Sequence, residues 1–189
     1  NFDGVYSDAS VYVNGTQVGE HHYGYTSFAM DISRYLTCDG KTENVVAVKT
    51  VNNIPSSRWY SGSGIYRDVT LEVTDPVHIS HDGITVTTPD IQNGKGTVSV
   101  KAAVQNDSAK QADVTVTAAV YDSNGNKVSD DTQSSASLGT SGNREVSLSA
   151  TVSNPKLWSV DSPNLYTVKT EIKQNDTVID LSLIHISEP

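Results

Sequence analysis

Few side chains in this sequence have the types and spacing that chemistry requires. Asp130-Asp131 is the most conspicuous acidic pair, and paired carboxylates are a common tool for acid–base work. Neighbouring residues on a strand point to opposite faces, so these two cannot converge on one substrate, and a solvated edge is the expectation. His78 and His81 would suit a metal on a helix, but three residues apart on a strand they diverge, as do the adjacent His21 and His22. No metal site and no cofactor site follows from them. Cys38 is single, which excludes an internal disulfide and a cysteine-based zinc site. With Asp39 beside it, it reads as a buried or inert thiol.

The densest concentration of distinctive side chains is Ser56-Ser57-Arg58-Trp59-Tyr60-Ser61-Gly62-Ser63-Gly64-Ile65-Tyr66-Arg67-Asp68-Val69. The Gly-x-Gly at 62–64 feeds a β-type run and no helix, so it offers neither a helix dipole for a phosphate nor the strand-to-helix turn of a serine nucleophile. An aromatic ring can stack on the apolar face of a sugar, and a guanidinium beside it can donate hydrogen bonds to hydroxyls. Arg58, Trp59 and Tyr60 fit that description. They fit equally a sandwich core holding Trp59 and Tyr66 while Arg58 and Arg67 pair with carboxylates, which is the commoner fate of aromatics.

The elements that would position these residues are strands. Ala9, Val11 and Val13 alternate with Ser10 and Tyr12, and Asn14-Gly15 follows, so a hairpin is predicted there. Tyr23, Tyr25 and Phe28 suit a strand or a loop laid along a sheet, Asp31–Leu36 one helical turn, Asn44–Val51 a strand, and Ile65–Val73 another. Around Thr74-Asp75-Pro76 the composition changes from tyrosine-rich to Val, Ala, Ser and Thr, which marks a boundary. Beyond it, strands are expected at 79–87, 97–105, 114–122, 127–138, 144–152 and 165–174, with Asn124-Gly125 as a turn. Such spacing is the pattern of an immunoglobulin-like sandwich. Without a cysteine pair, its core would rest on Trp158 and the Val/Ala faces.

A hydrophobic content of 36% with 13 glycines suits thin sandwiches better than helical bundles. The net charge of −9, with only 13 scattered basic residues, argues against a nucleic-acid partner. No apolar run reaches the roughly 18 residues that span a bilayer. Cytoplasm, periplasm and secretion all stay open.

Arg58-Trp59-Tyr60-Ser61-Gly62-Ser63-Gly64-Ile65-Tyr66-Arg67-Asp68-Val69 resembles the end of the sugar-binding domain of family 2 glycoside hydrolases, most closely the β-galactosidase type. Phe2–Tyr6, Val11–Gly15 and Tyr23–Phe28 resemble the preceding part of that domain. Pro155-Lys156-Leu157-Trp158-Ser159 with Pro163-Asn164-Leu165-Tyr166 resembles the close of the immunoglobulin-like domain that follows it. The resemblance implies an all-β chain: the later part of a jelly-roll sandwich over 1–75, then an immunoglobulin-like sandwich over 76–180. It also implies a front that begins mid-motif. The catalytic carboxylates of relatives sit on a barrel downstream of Asp180, so no catalytic residue is expected here. The parent would hydrolyse terminal β-galactosides, while this part would support the barrel, shape its cleft and contribute to any homo-oligomer.

In relatives the loop before the Arg-Trp segment reaches over the barrel mouth. Its nearest matches are Asn53, Arg58 and Trp59, although this chain lacks the Asp that some β-galactosidases carry in a longer loop. Leu181–Pro189 departs from the family and resembles translated sequencing-adapter material, expected to be loosely docked. The alternative is a stand-alone carbohydrate-binding or surface adhesion module, which would bind galactose or lactose saturably.

Overall fold

A computed structural model describes residues 1–53 and 62–186, which are built almost entirely from strands. The chain divides into two units, Asn1–Val73 and Thr74–Pro189.

In the first unit, β1 (Val5–Tyr6) pairs with β5 (Gly64–Ile65), and β2 (Ala9–Val13) lies between β3 (Thr16–His21) and β4 (Val46–Lys49). The β2–β3 hairpin is the predicted one: Asn14 and Gly15 take φ of 50° and 82°, the positive values such a turn requires. Asn14 does more than turn the chain. Its Nδ2 donates to the Tyr35 carbonyl and to Asn44 Oδ1, and its Oδ1 accepts from the Val45 amide, so it ties the 3-10 turn Ser33–Tyr35 to the start of β4. Ala9 and Val11 point inward as predicted and join Phe2 and Val5 in a small core, against which Phe28, Met30 and Val48 pack.

The strand predicted over Ile65–Val73 forms only in fragments. Residues 64–70 run antiparallel to 1–6, but the ladder breaks where Gly4 faces Tyr66 and Arg67 and resumes at the Phe2–Val69 bridge. The Thr70 and Asn1 backbones exchange hydrogen bonds of 3.0 and 2.9 Å, and beyond them Leu71 and Val73 keep the alternation while largely exposed. Alternation describes a face, whereas a strand also requires a partner backbone.

The second unit is a two-sheet sandwich. β6 (Val77–Gln92), β7 (Lys95–Asn106) and β10 (Gly142–Ser153) form one sheet in the order β10-β7-β6. β8 (Ala112–Asp122), β9 (Thr132–Leu138), β11 (Tyr166–Gln174) and β12 (Thr177–Ile186) form the other, in the order β12-β11-β8-β9. Val98, Val100, Ala102 and Val104 of β7 face Val114, Val116, Ala118 and Val120 of β8 within one core, as the alternation required. Without a cysteine pair, this core rests on Val and Ala with Leu138, Leu148, Ile172 and Tyr166 among them.

Three expectations need correction. Trp158 is 42% exposed and lies outside the core; the large aromatic inside is Tyr166, at 5%. The strand predicted over 127–138 is broken, because Ser129 crosses to bridge Val152 and its buried Oγ accepts from the Val120 amide. Residues 181–186 are not loosely docked: they form the second half of β12, in register from Tyr166↔Ile186 to Glu171↔Leu181. Alternating apolar side chains and free backbone groups suffice for an edge strand, whatever the origin of the sequence. Asp180 secures the strand's middle by accepting the Ile79 amide of β6 at 2.7 Å.

Candidate functional site

The most organised exposed surface is an aromatic cluster in the first unit. Pairing of Tyr6 with Gly64 sets the end of β1 beside the start of the segment carrying Tyr66, and the loop after β3 brings Tyr23, Gly24 and Tyr25 to the same place. Tyr6 and Tyr25 meet edge to face at 5.5 Å, Tyr23 and Tyr25 at 5.7 Å, and Tyr25 and Tyr66 at 6.4 Å. The Tyr66 hydroxyl donates to the Gly24 carbonyl at 2.6 Å. A Cβ on Gly24 would run into the Tyr6 ring, so only glycine lets the loop descend onto it. Tyr23 and Tyr25 remain 62% and 60% exposed.

Around this cluster the polar groups are already engaged. The Arg67 guanidinium lies 5.3 Å from the Tyr66 ring centroid, His22 Nδ1 is 3.0 Å from Asp8 Oδ1, and His21 stacks on Phe28 while its Nε2 meets Thr26 Oγ1 at 2.9 Å. The two histidines have separate partners, with His21 at the end of β3 and His22 just past it. Such a surface can stack and pack, but among the described residues it presents no nucleophile paired with a base.

Of the residues assigned to the sugar, Asn53 is exposed in the irregular stretch after β4, and Arg58 and Trp59 lie outside the described residues. The tyrosine cluster was not foreseen as a unit. Its signal was the glycine between two tyrosines at 23–25, since a glycine so placed marks close approach of backbone to a ring. Cys38, read as buried or inert, is exposed.

Acid–base hydrolysis would need one carboxyl held protonated by an apolar setting beside an ionised one. The shifted carboxylates move the other way. Asp39, in an exposed turn, is lowered to about 2 by the amide and hydroxyl of Thr42 and the amide of Lys41, and Asp122, at the end of β8, is lowered by the amide and side chain of Asn126. Glu171 is lowered by its hydrogen bond to Lys169, with Lys173 adding to it. Asp131 pairs with Lys127 at 2.8 Å while its neighbour Asp130 is exposed, so this pair is the predicted solvated edge.

Two hollows open on the second unit. One, about 540 Å³, is lined by Asp113, Ser135, Ser137, Arg144, Lys173 and Asp176; both its acids are exposed, and Asp113 accepts from the Ser137 hydroxyl. The other, about 610 Å³, is lined by Tyr121, Leu165, Leu181 and Leu183 among others and is largely apolar. Among the described residues, no group of three or more His, Cys, Asp or Glu is placed to hold a metal, and no helix is long and apolar enough to cross a membrane.

Comparison with known proteins accounts for both units. Residues 1–76 match the sugar-binding domain of glycosyl hydrolases family 2, and residues 77–183 match a second model of glycosyl hydrolases family 2. A β-galactosidase of Bacteroides ovatus is 37% identical over 180 residues, covering 95% of this chain and 21% of its own. A putative β-glucuronidase of Formosa agariphila is 38% identical over 181 residues, covering 95% and 16%. The crystal structure of a family 2 member from Bacteroides cellulosilyticus superposes with a TM-score of 0.90 at 37% identity, covering 98% of this chain and 25% of that one. The chain thus spans about a fifth of the length of the curated relatives. With all-β units that match the sandwich domains of these enzymes and family models covering nearly its whole length, the chain belongs to family 2 of the glycosyl hydrolases.

Proposed function

We propose that this chain is the non-catalytic front portion of a β-galactosidase-type glycosidase acting on terminal β-galactosides in carbohydrate metabolism. It buttresses the catalytic barrel and narrows its cleft. The observation carrying this reading is the order of the two family segments, sugar-binding then immunoglobulin-like, in a chain that spans about a fifth of its curated relatives. The shifted carboxylates agree, since Asp39, Asp122 and Glu171 are each drawn toward the ionised form rather than poised as an acid.

Domain limits of 1–75 and 76–180 belong to this reading, supported by the division near residue 73. So does the assignment of Asn53, Arg58 and Trp59 to the cleft wall, and of residues 181–189 to a foreign end. The test is to read the gene beyond both ends of this chain and assay the parent on aryl β-galactosides and β-glucuronides. A downstream barrel with paired glutamates and turnover of the galactoside is expected. A preference for the glucuronide would move the specificity to that of other relatives, and a parent without a barrel would overturn the reading.

A further inference from the structure

We infer that the tyrosine face of the first unit, formed by Tyr6, Tyr23, Tyr25 and Tyr66, is the docking surface for the catalytic portion of the parent polypeptide. The inference rests on the functional reading above and names the surface through which that support is exerted.

The face has the make-up of a protein interface. Its centre is aromatic, with two rings more than half exposed, and among the described residues Arg67 lies over the Tyr66 ring and Asp8 pairs with His22. Tyrosine-rich, charge-poor centres with a satisfied polar rim are what buried interfaces select. The rings are also held in place, by three edge-to-face contacts and by the Tyr66 hydroxyl on the Gly24 carbonyl, so little ordering remains to be done on association. Leu71 and Val73 are more exposed still, but neither belongs to such a cluster.

Ring orientation decides between a polypeptide and a sugar. Tyr25 is turned by 67°, 65° and 67° from Tyr6, Tyr23 and Tyr66, so this central ring shares no plane with the rings it touches on which pyranose faces could lie in a row. Rings stepped edge to face leave notches, which suit interdigitating side chains. The length of the relatives supplies the occupant: about four fifths of such an enzyme lies outside this chain.

Tetranitromethane nitration, located by mass spectrometry, tests the assignment with half-buried Tyr35 as internal reference. Tyr23 and Tyr25 should be nitrated readily in the 189-residue chain and at least tenfold more slowly in the parent. In the parent carrying Tyr25→Asp, Tyr23 should regain most of its reactivity. Equal rates in chain and parent would overturn the proposal. So would protection in the short chain that grows with its concentration, which indicates a second copy, or protection of the parent only when lactose is added, which indicates a sugar. Protected tyrosines in a parent without glycosidase activity would uphold the docking surface and sink the functional reading. An active parent with both tyrosines open would do the reverse.

Discussion

The Tyr166 hydroxyl accepts a hydrogen bond from the Lys156 amide at 2.8 Å, ten residues upstream. Tyr166 opens β11 with its ring in the core, and its hydroxyl fastens the irregular segment that leads back from the end of β10. The arrangement parallels the tyrosine corner of immunoglobulin-like sandwiches, in which a tyrosine at the start of a central strand anchors the preceding connection. It takes the structural role that the sequence reading gave to Trp158.

Tyr166→Phe keeps the ring and removes the acceptor. The expected loss is about 1–2 kcal/mol for the second unit, the cost of an unpaired backbone donor partly out of water. In calorimetry that corresponds to a Tm lower by roughly 5–10 °C for a unit of this size. Trp158→Ala, at an exposed position, should cost about 1 kcal/mol or less. A larger effect from Trp158 than from Tyr166 would reverse the assignment.

Two buried polar residues should respond in opposite directions. Asn106 is fully buried and fully used: its Nδ2 donates to the carbonyls of Lys110 and Gly139, and its Oδ1 accepts from the amide and hydroxyl of Ser108. Asn106→Ala orphans groups in two loops and should destabilise by roughly 3 kcal/mol. Thr170 Oγ1 is buried with no hydrogen-bond partner among the described residues, so Thr170→Val should stabilise by about 1 kcal/mol. Denaturant midpoints of the two variants measure both effects.

Acid should weaken the second unit in a defined window. Glu171 has a folded-state pKa below its ordinary 4.5, first through its hydrogen bond to Lys169 and then through Lys173. A lowered folded pKa means that the native state holds the proton less tightly, so the stabilisation is present above about pH 4.5 and is lost as pH falls through the folded value. Thermal melts from pH 7 to pH 3 should fall in Tm below about 4.5, and Glu171→Gln should flatten that fall. The effect is modest, since the lysines are partly solvated. An unchanged slope in the variant would remove Glu171 from the account.

The two units should not melt alike. Among the described residues, the core cluster of the first is small, built on Phe2, Val5, Ala9 and Val11, while the second has a continuous core drawn from both sheets. The portion after Pro76 should unfold cooperatively and the first 75 residues should not. A single calorimetric transition engaging both would contradict this.

The β-sandwich core was legible because its signal is local: a buried face of Val and Ala every second residue along β7, β8 and β10 needs no knowledge of partners. The Asn14-Gly15 hairpin was legible for the same reason, since the turn's φ values dictate its residues. What failed depended on partners. Among the described residues Leu71 and Val73 alternate without a strand to pair with, Ser129 leaves its strand for a distant one, and Leu181–Ile186 joins β11 although it was expected to be loosely docked. The tyrosine face is assembled from residues 6, 23, 25 and 66, and no short window of sequence contains it.

The central claim is that the chemistry belongs to a part of the parent beyond this chain. It is tested most directly by incubating the purified 189-residue chain, and in parallel the full-length parent, with a nitrophenyl β-galactoside at equal molar concentration. The parent should release nitrophenol while the chain stays at the rate of the blank. Release by the chain alone above the blank, abolished when its own carboxylates are replaced, would contradict the account.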